Sequence, residues 1–395
     1  MLKDKGVDCI LVEAKEICSG ASKNTTAKIT IQHGLIYNDL IKKYGFTKAK
    51  LYLESQKNAL EEYSRICKNI ECDYETKDSF VYSLNNKGKI EKEAHALNQL
   101  GEKAELLHSV DIPLKIAGAV KIKNQGQFHP LKFLFEIAKK LSIYENTKVL
   151  EISPCKAITP NGIINCKNIV IATHFPILNK HGGYFLKMFQ HRSYVIALEN
   201  SENVKGIYVD ESQKGLSFRN YKNLLLLGGG SHRTGKNGGN WRELENFARL
   251  NYPNSKIVGK WAAQDCITLD SVPYIGKYSS NTCGLYVTTG FNKWGMTSSM
   301  VAAKLLSDLI CNKKNKYESL FSPSRSILHP SLFSNVFESM LGMIKPTTPR
   351  CPHMGCALQY NKDERSWDCP CHGSRFTENG ELIDNPATDD KNSIK

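Results

Sequence analysis

Short apolar runs separated by polar and glycine-rich segments dominate the chain from Gly6 to Phe321. The runs at 9–12 (CILV), 168–173 (NIVIAT) and 285–290 (LYVTTG) have the length and β-branched content of buried strands. Each is flanked by helical or glycine-rich sequence. Strands that alternate with helices in this way are typical of α/β proteins with parallel pairing. The pattern therefore predicts an α/β body.

Three further runs alternate apolar and polar residues, as strands with one buried face do. They lie at 192–199 (RSYVIALE), 206–210 (GIYVD) and 223–230 (NLLLLGGG). Because these runs interrupt the α/β pattern, we expect an antiparallel sheet that forms an interleaved substrate subdomain. We assign this subdomain roughly to residues 48–118 and 181–255, inside a first domain that covers residues 1–322.

The pattern changes after Phe321. An amphipathic stretch at 332–344 predicts a helix, and the prolines of the following KPTTPR prevent its continuation. We expect a linker with a helix at 323–345 and a small all-β segment at 346–395. A segment this short cannot build a sufficient core, so bound metal, a disulfide or docking on the body must stabilise it.

Charge and hydropathy narrow the function classes. The 395 residues carry a formal net charge of +14, divided into +16 before residue 347 and −2 after it. A basic body can attract anionic cofactors or an acidic protein, but the charges are scattered without a basic strip of the kind that binds nucleic acid. No stretch approaches the roughly 20 apolar residues of a membrane helix, and the first twenty residues are too charged for a signal peptide. We expect a cytoplasmic protein with no membrane insertion and no nucleic-acid partner.

Thirteen cysteines are present, and four of them fall between residues 351 and 371. The motifs CPHMGC (351–356) and CPCHGSRF (369–376) give the ligand spacing CxH, fifteen residues, CxxH. Two thiolates can hold one iron and two imidazoles the other, as in a Rieske [2Fe–2S] centre. Zinc is the alternative, although a zinc site does not require the GC and GS pairs in these motifs. The predicted ligands are Cys351, His353, Cys369 and His372.

This segment resembles the Rieske proteins of respiratory complexes. In that family the residues that match Cys356 and Cys371 form a disulfide between the two cluster loops, and the residue that matches Ser374 hydrogen-bonds a cluster sulfur. The tyrosine usual two positions later is Phe376 here. The resemblance implies the disulfide, and the missing hydrogen bond implies a lower reduction potential than in Rieske proteins that keep both donors.

Four further segments, at 11–34, 168–174, 270–276 and 289–297, carry a second resemblance. They are similar to the D-amino-acid-oxidase-like superfamily of FAD-dependent oxidoreductases, and the whole chain resembles a bacterial group of such flavoproteins with a C-terminal Rieske segment. The resemblance implies an FAD-binding dinucleotide fold. It also implies that these residues bind FAD: Glu13, Ser19, Gly20, Ala21, Ser22, Thr25, Thr26, Ala27, Val149, Ala172, Thr173, Gly290, Gly295, Met296 and Thr297.

The glycine fingerprint GxGxxG does not precede Glu13. In dinucleotide folds the acidic residue follows the first glycine by about 20 positions, so we expect the motif and its strand to be missing before Met1. A chain that begins at Met1 should then bind FAD weakly and expose the apolar edge of the strand at 9–12. GGGSHRTG (228–235) does not replace the motif, because Arg233 stands where the third glycine would be. We interpret it as a strand end that faces flavin or substrate.

A flavin that accepts two electrons, joined to a cluster that accepts one, predicts a specific kind of enzyme. We expect an FAD-dependent oxidoreductase that oxidises an amine, an amino acid or a similar metabolite and passes electrons singly through the cluster to or from a protein partner. The alternative is a truncated or degenerate flavoprotein that acts only as a [2Fe–2S] electron carrier. A Rieske oxygenase is disfavoured, because no two histidines have the spacing of its mononuclear iron site.

The substrate pocket is less defined by the sequence. Amino-acid-oxidising relatives place an arginine for the substrate carboxylate at the position of Asp265, so this chain is not expected to have that carboxylate clamp. An amine or a polyol therefore remains a candidate substrate. The candidate pocket residues are His232, Arg233 and Trp294.

Overall fold

The computed structural model describes residues 1–179, 181–326, 330–344, 346 and 349–390. Its strands are β1 (Ile10–Val12), β2 (Lys28–Ile29), β3 (Glu75–Ser83), β4 (Glu105–Leu107), β5 (Gly118–Gln127), β6 (Ser142–Tyr144), β7 (Glu151–Ser153), β8 (Lys156–Thr159), β9 (Gly162–Asn165), β10 (Ile169–Ile171), β11 (Met188–Glu199), β12 (Gly206–Asp210), β13 (Ser217–Tyr221), β14 (Leu224–Arg233), β15 (Lys256–Thr268), β16 (Tyr274–Lys277), β17 (Leu285–Thr289), β18 (Gln359–Asn361), β19 (Ser366–Asp368), β20 (Arg375–Thr377) and β21 (Leu382–Asp384).

Helices connect and cover these strands. They are α1 (Ala21–Asn24), α2 (Tyr37–Cys67), α3 (Lys87–Gln99), α4 (Pro130–Ala138), α5 (Tyr184–Lys187), α6 (Asn240–Asn251), α7 (Gly295–Ile310), α8 (Glu318–Phe321) and α9 (Pro330–Ile344), with 3₁₀ turns at Lys3–Lys5 and His181–Gly183. In the part of the chain that the structure describes, no helix is long and apolar enough to cross a membrane.

A large sheet of nine strands organises the body. Its order is β15-β11-β14-β13-β12-β3-β5-β2, and β4 pairs with β5. Neighbours are antiparallel except β12 and β3. The predicted strands at 192–199, 206–210 and 223–230 fall in β11, β12 and β14, so the expected antiparallel sheet is confirmed. The sheet also takes strands from outside the segments 48–118 and 181–255, β15 among them.

The α/β part contains short parallel pairs. β1 pairs with β6, and β10 pairs with β17, which is antiparallel to β16. A core that includes residues of α2 and α7 packs between this part and the large sheet. Within the described ranges β1 pairs with no other strand, and Ile10 and Leu11 are 46% and 40% exposed.

The C-terminal segment is an antiparallel sheet of order β18-β19-β20-β21, as the sequence predicted. Its small core includes Leu358 and Phe376 together with four cysteines. The predicted helix at 332–344 lies in α9. Residues 327–329, 345, 347–348 and 391–395 of the predicted linker and segment lie outside the described residues.

Buried ion pairs attach this segment to the large sheet. Glu364, in the β18–β19 turn, accepts from Arg192 of β11 (Nε, 3.0 Å) and from Arg375 of β20 (Nη2, 2.8 Å). The Tyr194 hydroxyl donates to the same carboxylate at 2.8 Å. Burial acts to raise the pKa of Glu364, but the two guanidinium groups hold it below its usual value. The carboxylate is therefore charged and joins the two parts of the chain.

Replacing Glu364 by Ala should destabilise the attachment strongly, because it leaves two guanidinium groups buried together without their shared carboxylate. We expect a loss of about 3–5 kcal/mol, measured by urea unfolding followed by tryptophan fluorescence. The matched control is Glu378→Ala, which breaks an exposed pair with Arg365 and should change little. Since the pKa of Glu364 is lowered in the folded protein, its contribution should be full above the unfolded pKa and disappear as the pH falls through the folded one. Equal unfolding midpoints for the two variants would contradict this role.

Candidate functional site

A cleft of about 600 Å³ opens between one face of the large sheet, the 21–28 segment and the loop before α7. Side chains of β11 and β15 form its wall, including Phe189 and Asp265. The opposite side is formed by the 21–28 segment and the 292–296 loop. The cleft thus brings together segments that are far apart in the sequence.

The loop before α7 is held in an unusual backbone conformation. Gly290, Asn292 and Lys293 have φ values of +71°, +52° and +70°. The Asn292 side chain stabilises this turn, because its Oδ1 accepts from Thr268 N at 2.7 Å and its Nδ2 donates to Gly290 O at 2.9 Å. The turn presents the start of α7, with its free N–H groups and positive dipole end, to the cleft. This end of the helix can bind a negatively charged or carbonyl-rich group.

A histidine that the sequence analysis did not single out supports the same corner. His33 lines the cleft, stacks on Trp294 with ring centroids 5.1 Å apart, and its Nε2 lies 2.9 Å from Thr297 Oγ1. Its Nδ1 lies 2.7 Å from the Tyr52 hydroxyl. Burial lowers the pKa of His33 to about 3, so the ring is neutral. Its presence in the 11–34 motif was the only available signal, since its partner Thr297 is 264 residues away.

Two lysines give the cleft positive character. Burial and, to a smaller extent, the nearby Arg219 guanidinium together lower the pKa of Lys28 to about 7. Lys28 Nζ donates to Thr26 Oγ1 at 2.8 Å. Burial lowers the pKa of Lys293 to about 8, although Asp265 opposes this shift. Neither ammonium forms an ion pair within the described residues.

Two carboxylates of the cleft differ in how they are bound. Asp270 is held by Arg325 (Nε, 2.6 Å) and by the Tyr44 hydroxyl (2.7 Å); burial acts to raise its pKa, yet these partners lower it to about 2. Asp265 accepts no hydrogen bond from any described residue, and burial raises its pKa. Asp265 is therefore the carboxylate that is available to a ligand.

Some of the residues predicted to bind FAD line the cleft and others do not. Five of them line the cleft: Ala21, Thr25, Thr26, Gly295 and Met296. The others lie outside its lining: Glu13, Ser19, Gly20, Ser22, Ala27, Val149, Ala172, Thr173, Gly290 and Thr297. Glu13 and the residues before Val149 come together at the end of β1, where Thr147 N donates to Glu13 O at 2.9 Å.

The expected pocket residues His232 and Arg233 do not line the cleft, and that expectation is corrected. Arg233 instead reaches the C-terminal segment, where it donates to Cys371 O at 2.8 Å and Pro370 O at 3.2 Å, and its guanidinium lies over the Phe189 ring, 4.9 Å from the ring centroid. His232 stacks on Tyr194. Trp294 does line the cleft, as do Gly228, Gly229 and Ser231 of the glycine-rich run.

Two loops of the C-terminal segment have matching geometry. In each, a cysteine carbonyl accepts from a glycine four residues later at 2.9 Å, from Gly355 to Cys351 and from Gly373 to Cys369. Both glycines are left-handed, with φ values of +76° and +92°, which explains why glycine occurs in the GC and GS pairs. A disulfide between Cys356 and Cys371, with Cα atoms 6.5 Å apart, joins the loops.

The four predicted ligands meet between these loops. The Cys351 thiol is buried, and hydrogen bonds from Cys369 and Ser374 lower its pKa to about 7 against the effect of burial. The imidazoles of His353 and His372 lie 5.1 Å apart, and the buried Nδ1 of His372 has no hydrogen-bond partner among the described residues. Two adjacent cysteine thiols, one of them with a lowered pKa, and two converging imidazoles fit the ligand chemistry of a Rieske cluster.

The histidines of this site face the body of the protein. His353 Nε2 lies 2.6 Å from Asn179 Oδ1, and His372 Nε2 lies 3.4 Å from Ser339 Oγ of α9. The Phe185 ring contacts both imidazoles edge-on, at centroid distances of 6.3 and 5.5 Å. These contacts orient the imidazoles, as partners of ligating histidines do.

One sheet separates the cleft from these loops. Phe189 and Asp265 face the cleft, whereas their neighbours Gln190 and Gln264 face the loops. Gln190 Nε2 donates to His372 O at 3.2 Å, and Gln264 Nε2 donates to Gly373 O at 2.9 Å. A Cβ at position 373 would lie 2.5 Å from Gln190 Cβ, so glycine permits this close contact.

Comparisons with known proteins agree with this arrangement. Residues 1–309 match the family model of FAD-dependent oxidoreductases, and residues 333–395 match the Rieske [2Fe–2S] domain. A putative Rieske 2Fe-2S iron–sulfur protein, YhfW of Bacillus subtilis, is 33% identical over 98% of this chain and 88% of its own length. The γ-glutamylputrescine oxidoreductase of Escherichia coli is 23% identical over 80% of this chain and 81% of its own.

Solved structures show the same fold for the body. The glycine oxidase of Bacillus cereus superimposes with a TM-score of 0.65 at 19% identity, over 83% of this chain and 95% of its own. The dinucleotide-binding fold, the FAD and the [2Fe–2S] cluster expected from the sequence are thereby confirmed. The chain belongs to the D-amino-acid-oxidase-like family of FAD-dependent oxidoreductases and carries a C-terminal Rieske [2Fe–2S] domain.

Proposed function

We propose that this oxidoreductase removes a hydride from a small amine, amino acid or related metabolite in the cleft and passes the electrons singly through the Rieske cluster. The observation that carries the proposal is the shared sheet: adjacent residues of β11, Phe189 and Gln190, face the cleft and the cluster loops respectively. Only the thickness of one sheet lies between the two sites, and sheets pack about 10 Å apart.

The residues of the cleft suit a bound flavin. FAD supplies a two-electron acceptor for the hydride. The start of α7 and the ammonium of Lys28 are positioned to bind its electron-rich edge, and His33 holds Trp294 and Thr297 in place around that helix end. Val149 and Glu13 are proposed to bind its adenosine part, as the family resemblance implies.

The cluster site is proposed to use Cys351, His353, Cys369 and His372 as ligands. The disulfide joins the two loops that carry these ligands, and Ser374 hydrogen-bonds Cys351. Gln190 and Gln264 of the large sheet hydrogen-bond the second loop. The cluster supplies one-electron transfer. The phenylalanine at position 376 is fully buried and offers no hydrogen bond to the site, in keeping with a potential below that of Rieske proteins with both donors.

Asp265 is the proposed anchor for the substrate. Its carboxylate lines the cleft and has no donor from the described residues, so a cationic amine on the substrate can supply one. The γ-glutamylputrescine oxidoreductase of Escherichia coli, which this chain resembles, is named for a substrate that contains an amine. In the absence of substrate, the positive charge of Lys293 partly compensates the negative charge of the Asp265 carboxylate.

The proposed ligands predict a specific spectrum. The reduced protein should give the EPR signal of a Rieske centre, with a lower average g value than an all-cysteine cluster gives. His372→Cys should move the signal toward the all-cysteine type, because it replaces a neutral nitrogen ligand by a thiolate. His95→Cys, at an exposed position of α3, is the control and should leave the signal unchanged. Bound zinc without acid-labile sulfide would contradict the assignment.

Electron transfer across the sheet can be tested with Gln190→Leu, which keeps most of the side-chain volume but removes the hydrogen bond to His372 O. When protein with stoichiometric FAD is mixed anaerobically with an oxidisable amine substrate as the electron donor, its flavin should be reduced first and its cluster second, and this second phase should be slower in the variant. Flavin absorbance and cluster EPR, sampled by rapid freezing, give the two rates. Gln99→Leu on α3 is the matched control and should behave as the unchanged protein.

The same measurement separates the proposal from the alternative. A protein that binds the cluster but no FAD, or whose reduced flavin never reduces the cluster, would be a [2Fe–2S] carrier only.

Substitution of Asp265 by Asn should weaken binding of amine substrates. A hydrogen bond to a charged group contributes about 1.5–3 kcal/mol, so we expect KM to rise about tenfold or more while kcat changes less. Asp39→Asn removes a carboxylate at the exposed rim of the same cleft and is the control. Steady-state kinetics over a panel of amines, amino acids and polyols gives the comparison. An unchanged KM for every oxidised amine would exclude Asp265 as the anchor.

A further inference from the structure

The outer face of α9 carries exposed apolar side chains in a row. Phe333, Phe337, Met340 and Ile344 are 78%, 61%, 54% and 77% exposed. Their spacing of four, three and four residues places them on one side of the helix. We name this row the α9 stripe. Single exposed apolar residues are ordinary, but a contiguous row marks an interaction surface.

The opposite face of α9 covers the cluster loops. Ser339 Oγ lies 3.4 Å from His372 Nε2, and Gly342 O accepts from Ala357 N at 3.0 Å. A Cβ at Gly342 would lie 2.4 Å from Cys371 Sγ, so the helix backbone rests directly on the disulfide. Because a helix with its side chains is about 10–12 Å across, a molecule bound at the α9 stripe lies about one helix diameter from the cluster ligands.

The four exposed side chains of the α9 stripe favour a small partner contact over a large one. Stable complexes, including stable dimers, bury about 800 Å² on each partner, whereas electron-transfer encounters have smaller interfaces. Four side chains on one helix face provide a surface of the size that electron-transfer encounters use. The upstream body carries +16, so an acidic partner is attracted to it and a basic one repelled.

We infer that the α9 stripe docks a small, acidic, one-electron carrier protein with an apolar rim around its redox centre. This inference rests on the proposed function. In the exchange the reduced cluster loses one electron and the carrier gains it, and no bond is made or broken. The stripe therefore gives the cluster a contact with its redox partner on the side away from the flavin cleft.

The test uses the holoprotein and a reduced acidic plant-type [2Fe–2S] ferredoxin as the probe. Plant-type ferredoxins have lower reduction potentials than Rieske centres, so electrons flow from probe to cluster. The same contact serves both directions of transfer. Stopped-flow absorbance measures the second-order rate for the unchanged protein, for the double variant Phe333→Ser and Phe337→Ser, and for Met340→Ser. Leu250→Ser, which removes an 81% exposed leucine from α6, is the matched control.

We expect the double variant to react about tenfold more slowly, the equivalent of losing ~1.4 kcal/mol of contact, and Met340→Ser to show a smaller decrease. Reduction by dithionite, which needs no docking, should be equal in all samples. The inference is overturned if the ferredoxin rates are equal. It is also overturned if sedimentation shows a stable dimer that the double variant dissociates, or if the protein binds phosphatidylglycerol vesicles through the stripe.

Flavin-to-cluster transfer, measured in the same samples, tests the proposed function independently. If that transfer is absent while the ferredoxin rate still depends on the stripe, the docking surface stands and the proposed flavin function fails. If flavin-to-cluster transfer is normal while the ferredoxin rate is insensitive to the stripe, only the docking inference fails.

Discussion

The structure depends on the close contact between the cluster loops and the back of the large sheet. Gln190 and Gln264 donate to main-chain carbonyls of the loop at 372–373, and glycine at 373 is required for that approach. The C-terminal segment is too small to form a sufficient core alone. Its loops are therefore ordered by the body, and any change in the curvature of β11 or β15 changes the site on each face of the sheet.

Charge reinforces this contact at the edge of the same strands. Glu364 lies between two buried guanidinium groups, one from each part of the chain, while Arg233 binds the carbonyls of Pro370 and Cys371. Such pairs cost desolvation energy and give little net stability, but they fix orientation because a misplaced partner leaves a buried charge unpaired. Polar contacts thus fix the orientation of the cluster domain on the sheet. The Phe185 ring adds a packing contact with the imidazoles of His353 and His372.

The sequence predicted those features that depend on short spacing. The CxH and CxxH motifs identify the cluster because its ligands and their glycines lie within a few residues of each other, and the periodicity of β11 and β12 is clear. Arg233 was wrongly expected to line the cleft, because the Pro370 carbonyl that it binds lies 137 residues further along the chain and no local pattern indicates that contact. His33 was missed because its role depends on Thr297 and Trp294, which only the folded chain brings to it.

The position of Gly373 against β11 also sets an order of assembly. Proteins emerge from the ribosome N-terminal end first, and their domains form in that order. The large sheet is complete at residue 268, about a hundred residues before the second cluster loop appears. Since that loop takes its shape from the finished sheet, iron and sulfide can be inserted only into a body that has already folded. A body that misfolds would leave the thiols unassembled, so the cluster, once present, reports that the rest of the protein is intact.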